Sequence, residues 1–154
     1  MKRREFIKGV VAIAPLSFIQ VDLFAKAEKP KGKNAMDIKT ALKELTAEKE
    51  AKDSDKVKLI VPEIAENGAV VPVKVEVDHP MEEKNYVKAI HIFATQNSNV
   101  RCVNVSLTPK NAKAYFATRV KLAKSQDVMA LVELSSGEFL KAAKPVKVTI
   151  GGCG

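Results

Sequence analysis

The stretch Val71-Pro72-Val73-Lys74-Val75-Glu76-Val77-Asp78 decides the fold. An extended chain puts its four valines on one face and Pro72, Lys74, Glu76 and Asp78 on the other. That is the pattern of a strand with one face buried and one wet, and β-branched valine favours extended backbone in its own right. Upstream, Val57, Leu59 and Val61 alternate in the same way. Asn67-Gly68 between the two runs is a tight-turn signal and predicts a hairpin.

Downstream the two-residue period continues over 87–95, 100–107, 114–123, 128–134 and 138–150. The separators are rich in turn formers, as in Gln96-Asn97-Ser98-Asn99 and Thr108-Pro109-Lys110-Asn111. Seven short strands with turns at roughly 8 to 12 residue spacing predict a mainly β fold, an immunoglobulin-like antiparallel β-sandwich over residues 53–150. The Cys and Trp pattern of antibody domains is absent. The expected inward set is the valines above with Ile90, Ile92, Val103, Val105, Leu107, Phe116, Val120, Leu122, Ala130, Val132, Leu134, Val148 and Ile150. It is large enough for a domain of about 100 residues to fold without a disulfide or a metal.

Before residue 53 the period is helical. Ile38, Ala41, Leu42 and Leu45 fall at i, i+3, i+4 and i+7 within Met36 to Lys52, predicting one N-terminal α-helix capped by Asn34, with its apolar face on the body of the domain or on a partner. Residues 28–35 carry Lys, Pro, Gly and Asn and read as a linker, so 28–52 is linker and helix together. Residues 1–27 combine a basic start, an apolar run from Gly9 to Val21 and Ala25-Lys26-Ala27. This is a signal peptide cut after Ala27, too short to span a membrane. Arg3-Arg4 with Phe6-Ile7-Lys8 resembles the twin-arginine export signal, which carries folded proteins to the periplasm.

The full chain of 154 residues has a formal charge of +8; removing the five basic and two acidic residues of the leader leaves +5. Nucleic acid is an unsuitable partner in that compartment, and a modest positive field favours anionic small molecules or an acidic protein surface. No nucleophile elbow, phosphate loop, Cys-x-x-Cys or His-x-x-x-His is present, so no catalytic or metal site is assigned. His79 and Met81 share a loop and offer imidazole and thioether to copper, the basis of an alternative reading as a periplasmic copper-binding or redox sandwich. His91, pointing opposite to Ile90 and Ile92, reads as solvent-facing or interfacial. Cys102 points away from Val103 and Val105 and reads as an apolar filler, with pairing to Cys153 as its competitor.

Gly151-Gly152-Cys153-Gly154 follow the last strand without a break. They read as a flexible arm in residues 151–154, reaching roughly 13 Å when extended. The thiol of Cys153 should keep a pKa near roughly 8.5, raised if anything by the terminal carboxylate of Gly154, with no histidine nearby to activate it. Such a thiol suits a handle modified by other proteins' active sites better than a catalyst. Lys141, Lys144 and Lys147 approach the arm along the last strand and are either ordinary solvent-face lysines or a means to balance an anionic cargo.

Three further stretches carry a resemblance: Pro62-Glu63-Ile64-Ala65-Glu66-Asn67-Gly68-Ala69-Val70-Val71-Pro72-Val73, Ala117-Thr118-Arg119-Val120-Lys121, and the ending Val146 to Gly154. With the twin-arginine signal they make the chain similar to the SoxY family, sulfur-carrier subunits of the periplasmic thiosulfate-oxidising system. Family members commonly end in one more glycine. The resemblance implies a carrier, not an enzyme, with no cofactor beyond the covalent adduct. A c-type haem enzyme joins thiosulfate to Cys153, a hydrolase releases sulfate, and in some systems a molybdenum enzyme oxidises the remaining persulfide sulfur. It also implies a heterodimer with a SoxZ-like β-sandwich subunit and a swinging arm.

Overall fold

The chain enters through a short helix, α1, Ile38–Thr46. Asp37 caps it: the Thr40 amide donates to Oδ1 at 2.9 Å and the Thr40 hydroxyl to Oδ2 at 2.8 Å. This satisfies an otherwise orphan N–H of the first turn. The cap is therefore Asp37 rather than Asn34. The helix also stops before the expected Lys52, because Ala47 and Glu48 turn left-handed at φ 50° and 67° and the chain then pairs as a strand. The computed structural model describes residues 34–152. The leader assigned to 1–27, linker residues 28–33, and Cys153 and Gly154 lie outside the described residues.

Nine strands follow: β1 (Ala51–Asp53), β2 (Val57–Ile60), β3 (Ile64–Asn67), β4 (Val71–Val77), β5 (Val87–Ala94), β6 (Arg101–Ser106), β7 (Ala114–Val120), β8 (Gln126–Leu134) and β9 (Phe139–Ile150). They make two sheets, one of six strands in the order β1-β9-β8-β5-β6 with β3 also on β9, and one of three in the order β2-β4-β7. The chain is a mainly β sandwich, as the alternation predicts. Two short strands, β1 and β3, were not legible from the period. Both pair with β9 in parallel, so the sandwich is not wholly antiparallel.

The Asn67-Gly68 turn forms, with the Ala69 amide donating to Asn67 Oδ1 at 2.9 Å, but it closes no hairpin. It joins β3 in one sheet to β4 in the other. Both prolines of the strands sit where a sheet tolerates a missing N–H. Pro72 lies beyond the reach of β2, which pairs with β4 only from Lys74 to Val77. Pro145 lies in the gap on β9 between the segments paired with β1 and β3.

Val71, Val73, Val75 and Val77 all reach the core between the sheets. Burying each is worth about 2 kcal/mol, which far outweighs the roughly 1 kcal/mol that a lost ladder hydrogen bond at Pro72 could cost. A second cluster covers the outer face of the large sheet, where Ala41 of α1 packs with Phe93, Val100, Leu131 and Phe139. This explains why β5 is buried on both faces. It also corrects two expectations. His91, on the same face as Phe93, is only 7% exposed, with Nδ1 at 2.9 Å from Asn104 Oδ1. Ile150 is 68% exposed, because β9 has by then run past the core.

Candidate functional site at the end of the last strand

The final strand hands the chain on through a relay of backbone hydrogen bonds. The Gly68 amide donates to the Ile150 carbonyl at 2.7 Å, the Leu122 amide to the Gly68 carbonyl at 2.7 Å, and the Gly152 amide to the Leu122 carbonyl at 2.9 Å. Three segments distant in sequence thus tie down the last described residue. Just upstream, Val148 N donates to Ser125 Oγ at 2.9 Å. Cys153 follows directly on this anchored point.

The glycines here meet a steric demand as well as a conformational one. A Cβ on Gly152 would lie 2.7 Å from Ala69 N, one on Gly151 2.3 Å from the Ala123 carbonyl oxygen, and one on Gly68 2.3 Å from the Leu122 carbonyl oxygen. None of the three has a positive φ; among the described glycines only Gly137 does. Backbone comes so close to backbone that no side chain fits.

Asn97 fixes the far wall of the relay. Its Nδ2 donates to the Lys121 carbonyl at 2.8 Å, and its Oδ1 accepts from Ala123 N at 3.0 Å and Gln126 Nε2 at 2.8 Å. Both Asn97 and Gln126 are buried, so the bond between them is shielded from water and the other two are partly so. Sequence reading placed Asn97 in a turn and gave no sign of this role. Nothing local marks it, because its partners lie 24 to 29 residues away.

Cys102 is the extra residue of a bulge. Ile92 pairs with Val103 and Phe93 with Arg101, so Cys102 has no opposite number on β5. The bulge breaks the alternation and lets the half-buried side chain pack on the sandwich core with Val103 and Val105, rather than away from them. It is a free thiol, and burial pushes its pKa up to about 11.

Beside it a cleft of about 390 Å³ opens between the edge strands β6 and β7, with Arg101, Arg119 and Lys121 in its lining. Arg101 Nη2 pairs with Glu44 of α1 at 2.7 Å.

The lysines of β9 do not act together. Lys141 pairs with Asp53 at 3.6 Å, while Lys144 and Lys147 line an open apolar groove with Val61, Glu63 and Pro145. His79 Nε2 lies 2.9 Å from Asn85 Oδ1. His79 and Met81 share a cavity of mixed charge with Lys58, Lys113, Glu76 and Asp78. Among the described residues no three His, Cys, Asp or Glu side chains cluster to hold a metal, and no helix is long and apolar enough to cross a membrane.

The family model described as sulfur oxidation protein SoxY matches residues 42–153. Among solved structures, the sulfur carrier protein SoxY from Chlorobium limicola f thiosulfatophilum is similar, with TM-score 0.61 and 29% identity over 71% of this chain and 94% of that one. A superoxide reductase (neelaredoxin) from Ignicoccus hospitalis has TM-score 0.57 at 21% identity, over 64% of this chain and 94% of its own. The superoxide reductase from Nanoarchaeum equitans has TM-score 0.51 at 14% identity, over 62% and 99%. At these identities the reductases share the fold alone. No curated protein sequence matches the chain.

Proposed function

The chain belongs to the SoxY family of sulfur oxidation proteins, and on that premise we propose that it is a covalent sulfur carrier whose working thiol is Cys153. The observation that carries the reading is that the family match runs to residue 153, taking in the only thiol beyond the last strand. The geometry upstream supports it. Strand β9, anchored on β8 and β3, ends in a glycine pair seated against the backbone of Gly68, Ala69, Leu122 and Ala123, an anchored base immediately before Cys153 in the sequence.

The chemistry asks little of the carrier and much of its partners. The Cys153 thiol and thiosulfate join through a new S–S bond, giving a protein-bound thiosulfonate, one proton and an electron pair that a c-type haem enzyme accepts. Water then attacks the terminal sulfonate sulfur on a hydrolase, releasing sulfate and a proton and leaving a persulfide on Cys153. A molybdenum enzyme can oxidise that outer sulfur to a sulfonate, which water removes in turn. The chain supplies attachment and presentation. Having no activating histidine beside it in sequence, the thiol stays quiet between partners.

The basic start and paired arginines of residues 1–27 support a periplasmic location for the mature chain, with export in the folded state by the twin-arginine pathway. A SoxZ-like sandwich subunit completes the carrier as a heterodimer. Intact-mass analysis of the periplasmic protein, purified without reductant during growth on thiosulfate, tests the reading. Reductant-labile sulfur or thiosulfonate adducts mapped to Cys153, absent from Cys153→Ser, are expected. A bare thiol at Cys153 under those conditions would overturn it.

A further inference from the structure

The two sheets leave two outer faces, and only one is covered. Helix α1 packs on the outer face of the large sheet. The outer face of β2-β4-β7 has no described element over it: Ile60 is 51% exposed and Tyr115 46%, and Pro72 and Ala117 beside them are exposed as well. The same face is unbalanced in charge, carrying Lys58, Lys74 and Arg119 against one acid, Glu76. The register sets Glu76 directly across from Lys58, yet none of the four forms an ion pair among the described residues. Apolar side chains interspersed with unpaired cations are complemented by an acidic protein surface with apolar groups at its centre.

Other occupants fit the face less well. Residues 28–33 hold Lys29, Lys31 and Lys33 against Glu28, so this segment of the chain brings like charge. A second copy turned face to face sets the same cations against each other. A permanent subunit needs about 800 Å² from each partner. The seven residues of β4 and the width of three strands span roughly 24 by 14 Å, or about 340 Å².

We propose that this face is a docking platform for an acidic surface on the enzymes that act on the carrier. The proposal rests on the carrier reading. The last rung of the sheet pairs Val71 with Val120, and just beyond it Gly68 and Leu122 belong to the relay that holds Gly152. A partner seated on the sheet is thereby beside the anchored residue that immediately precedes Cys153 in sequence. Small area and surface charge make the contact fast and brief, which a carrier served by several enzymes in turn requires.

The test uses the full mature chain with whatever subunit accompanies it, thiosulfate, and the c-type haem enzyme purified from the same periplasm, following haem reduction as carrier concentration is varied. Lys74→Glu/Arg119→Glu reverses two cations; both side chains are exposed, so the fold is retained. KM for the carrier should rise at least roughly fivefold, with kcat within about twofold of the unaltered value. The difference should shrink as salt approaches ~1 M. Lys39→Glu/Lys49→Glu, in and just after α1 on the other side of the sandwich, makes the same change in charge and should leave KM as it is.

An unchanged KM in the face variant would sink the platform and leave the carrier untouched. A lower kcat at unchanged KM would assign the two cations to the chemistry, and an equal rise of KM in both variants would assign the effect to net charge; either overturns the proposal. Size-exclusion chromatography reads the other occupants. A dimer of this chain, or an accompanying subunit, that the unaltered protein keeps and the face variant loses would give the face to that occupant instead. Failure of the carrier reading looks different, as haem reduction that Cys153→Ser supports as well as the unaltered chain does.

Discussion

The Gly152 amide donates to the Leu122 carbonyl at 2.9 Å, and Gly68 packs beside this bond so closely that a methyl group on it would meet the Leu122 oxygen at 2.3 Å. Gly151 and Gly152 are therefore held against the sandwich. Glycine at 68, 151 and 152 lets three backbones meet, and the directional freedom usually ascribed to such a tail comes second.

Gly68→Ala should then destabilise the whole domain. The added methyl meets the Leu122 carbonyl oxygen at 2.3 Å, backbone tied on both sides within the relay, as well as Gly152 N and Val148 Cγ1 at 2.8 Å, and overpacking of this kind costs about 2 kcal/mol. Urea unfolding would show it as a lower midpoint at unchanged slope. An unchanged midpoint would mean that the relay yields at no cost.

Gly152→Ala should behave differently, because a chain end can move away. Its methyl collides with Ala69 N and Cα at 2.7 and 2.8 Å. Hydrogen exchange at the Gly152 amide should accelerate by at least roughly tenfold while global stability stays within about 0.5 kcal/mol of the unaltered chain. Retained protection at that amide would contradict the contact.

Asn97→Ala removes one donor and one doubly used acceptor from a buried network. The Lys121 carbonyl, the Ala123 amide and the Gln126 amide lose their partner together. A loss of about 3 kcal/mol follows from the desolvation cost of the groups left unpaired. Denaturant titration checks it, and Asn97→Asp, which keeps the acceptor but not the donor, should fall between the two.

Cys102 and Cys153 should separate by pH in alkylation. Burial raises the Cys102 pKa from 9.0 to about 11, so at neutral to mildly alkaline pH its thiolate fraction is roughly a hundredfold below that of an unperturbed thiol. Cys102 should resist iodoacetamide near neutrality and react only as pH climbs towards its raised pKa. Rapid labelling of Cys102 at neutral pH, followed by peptide mapping, would contradict the packing of its side chain on the core.

The helix cap sets an acid dependence. Hydrogen bonds from the Thr40 amide and hydroxyl lower the pKa of Asp37 below its ordinary 3.8. A depressed carboxyl contributes stability that is fully present above the unfolded value and is lost as pH falls through the folded one. Asp37→Ala should therefore lower the melting temperature at neutral pH, with the gap closing as pH falls through the lowered folded-state pKa. A gap that stays constant down to pH 2, on the order of the lowest value at which the fold can be tested, would locate the effect elsewhere.

The alternation of Val71 to Val77 determined that strand and its inward face, because a two-residue period has one physical meaning when one side is dry. The same logic gave β2 and β4 to β9 to within a few residues, and the family ending at Cys153 was readable because chemistry at a chain end needs no partner in space. Only the tertiary structure decided the rest. The parallel pairing of β1 and β3 with β9, the burial of His91 beside Asn104, the bulge that turns Cys102 inward and the exposure of Ile150 depend on which segment packs against which. So do the buried Asn97 and the meeting of Gly68, Leu122 and Gly152. Each involves residues far apart along the chain, and periodicity reports only on what lies within a few residues of itself.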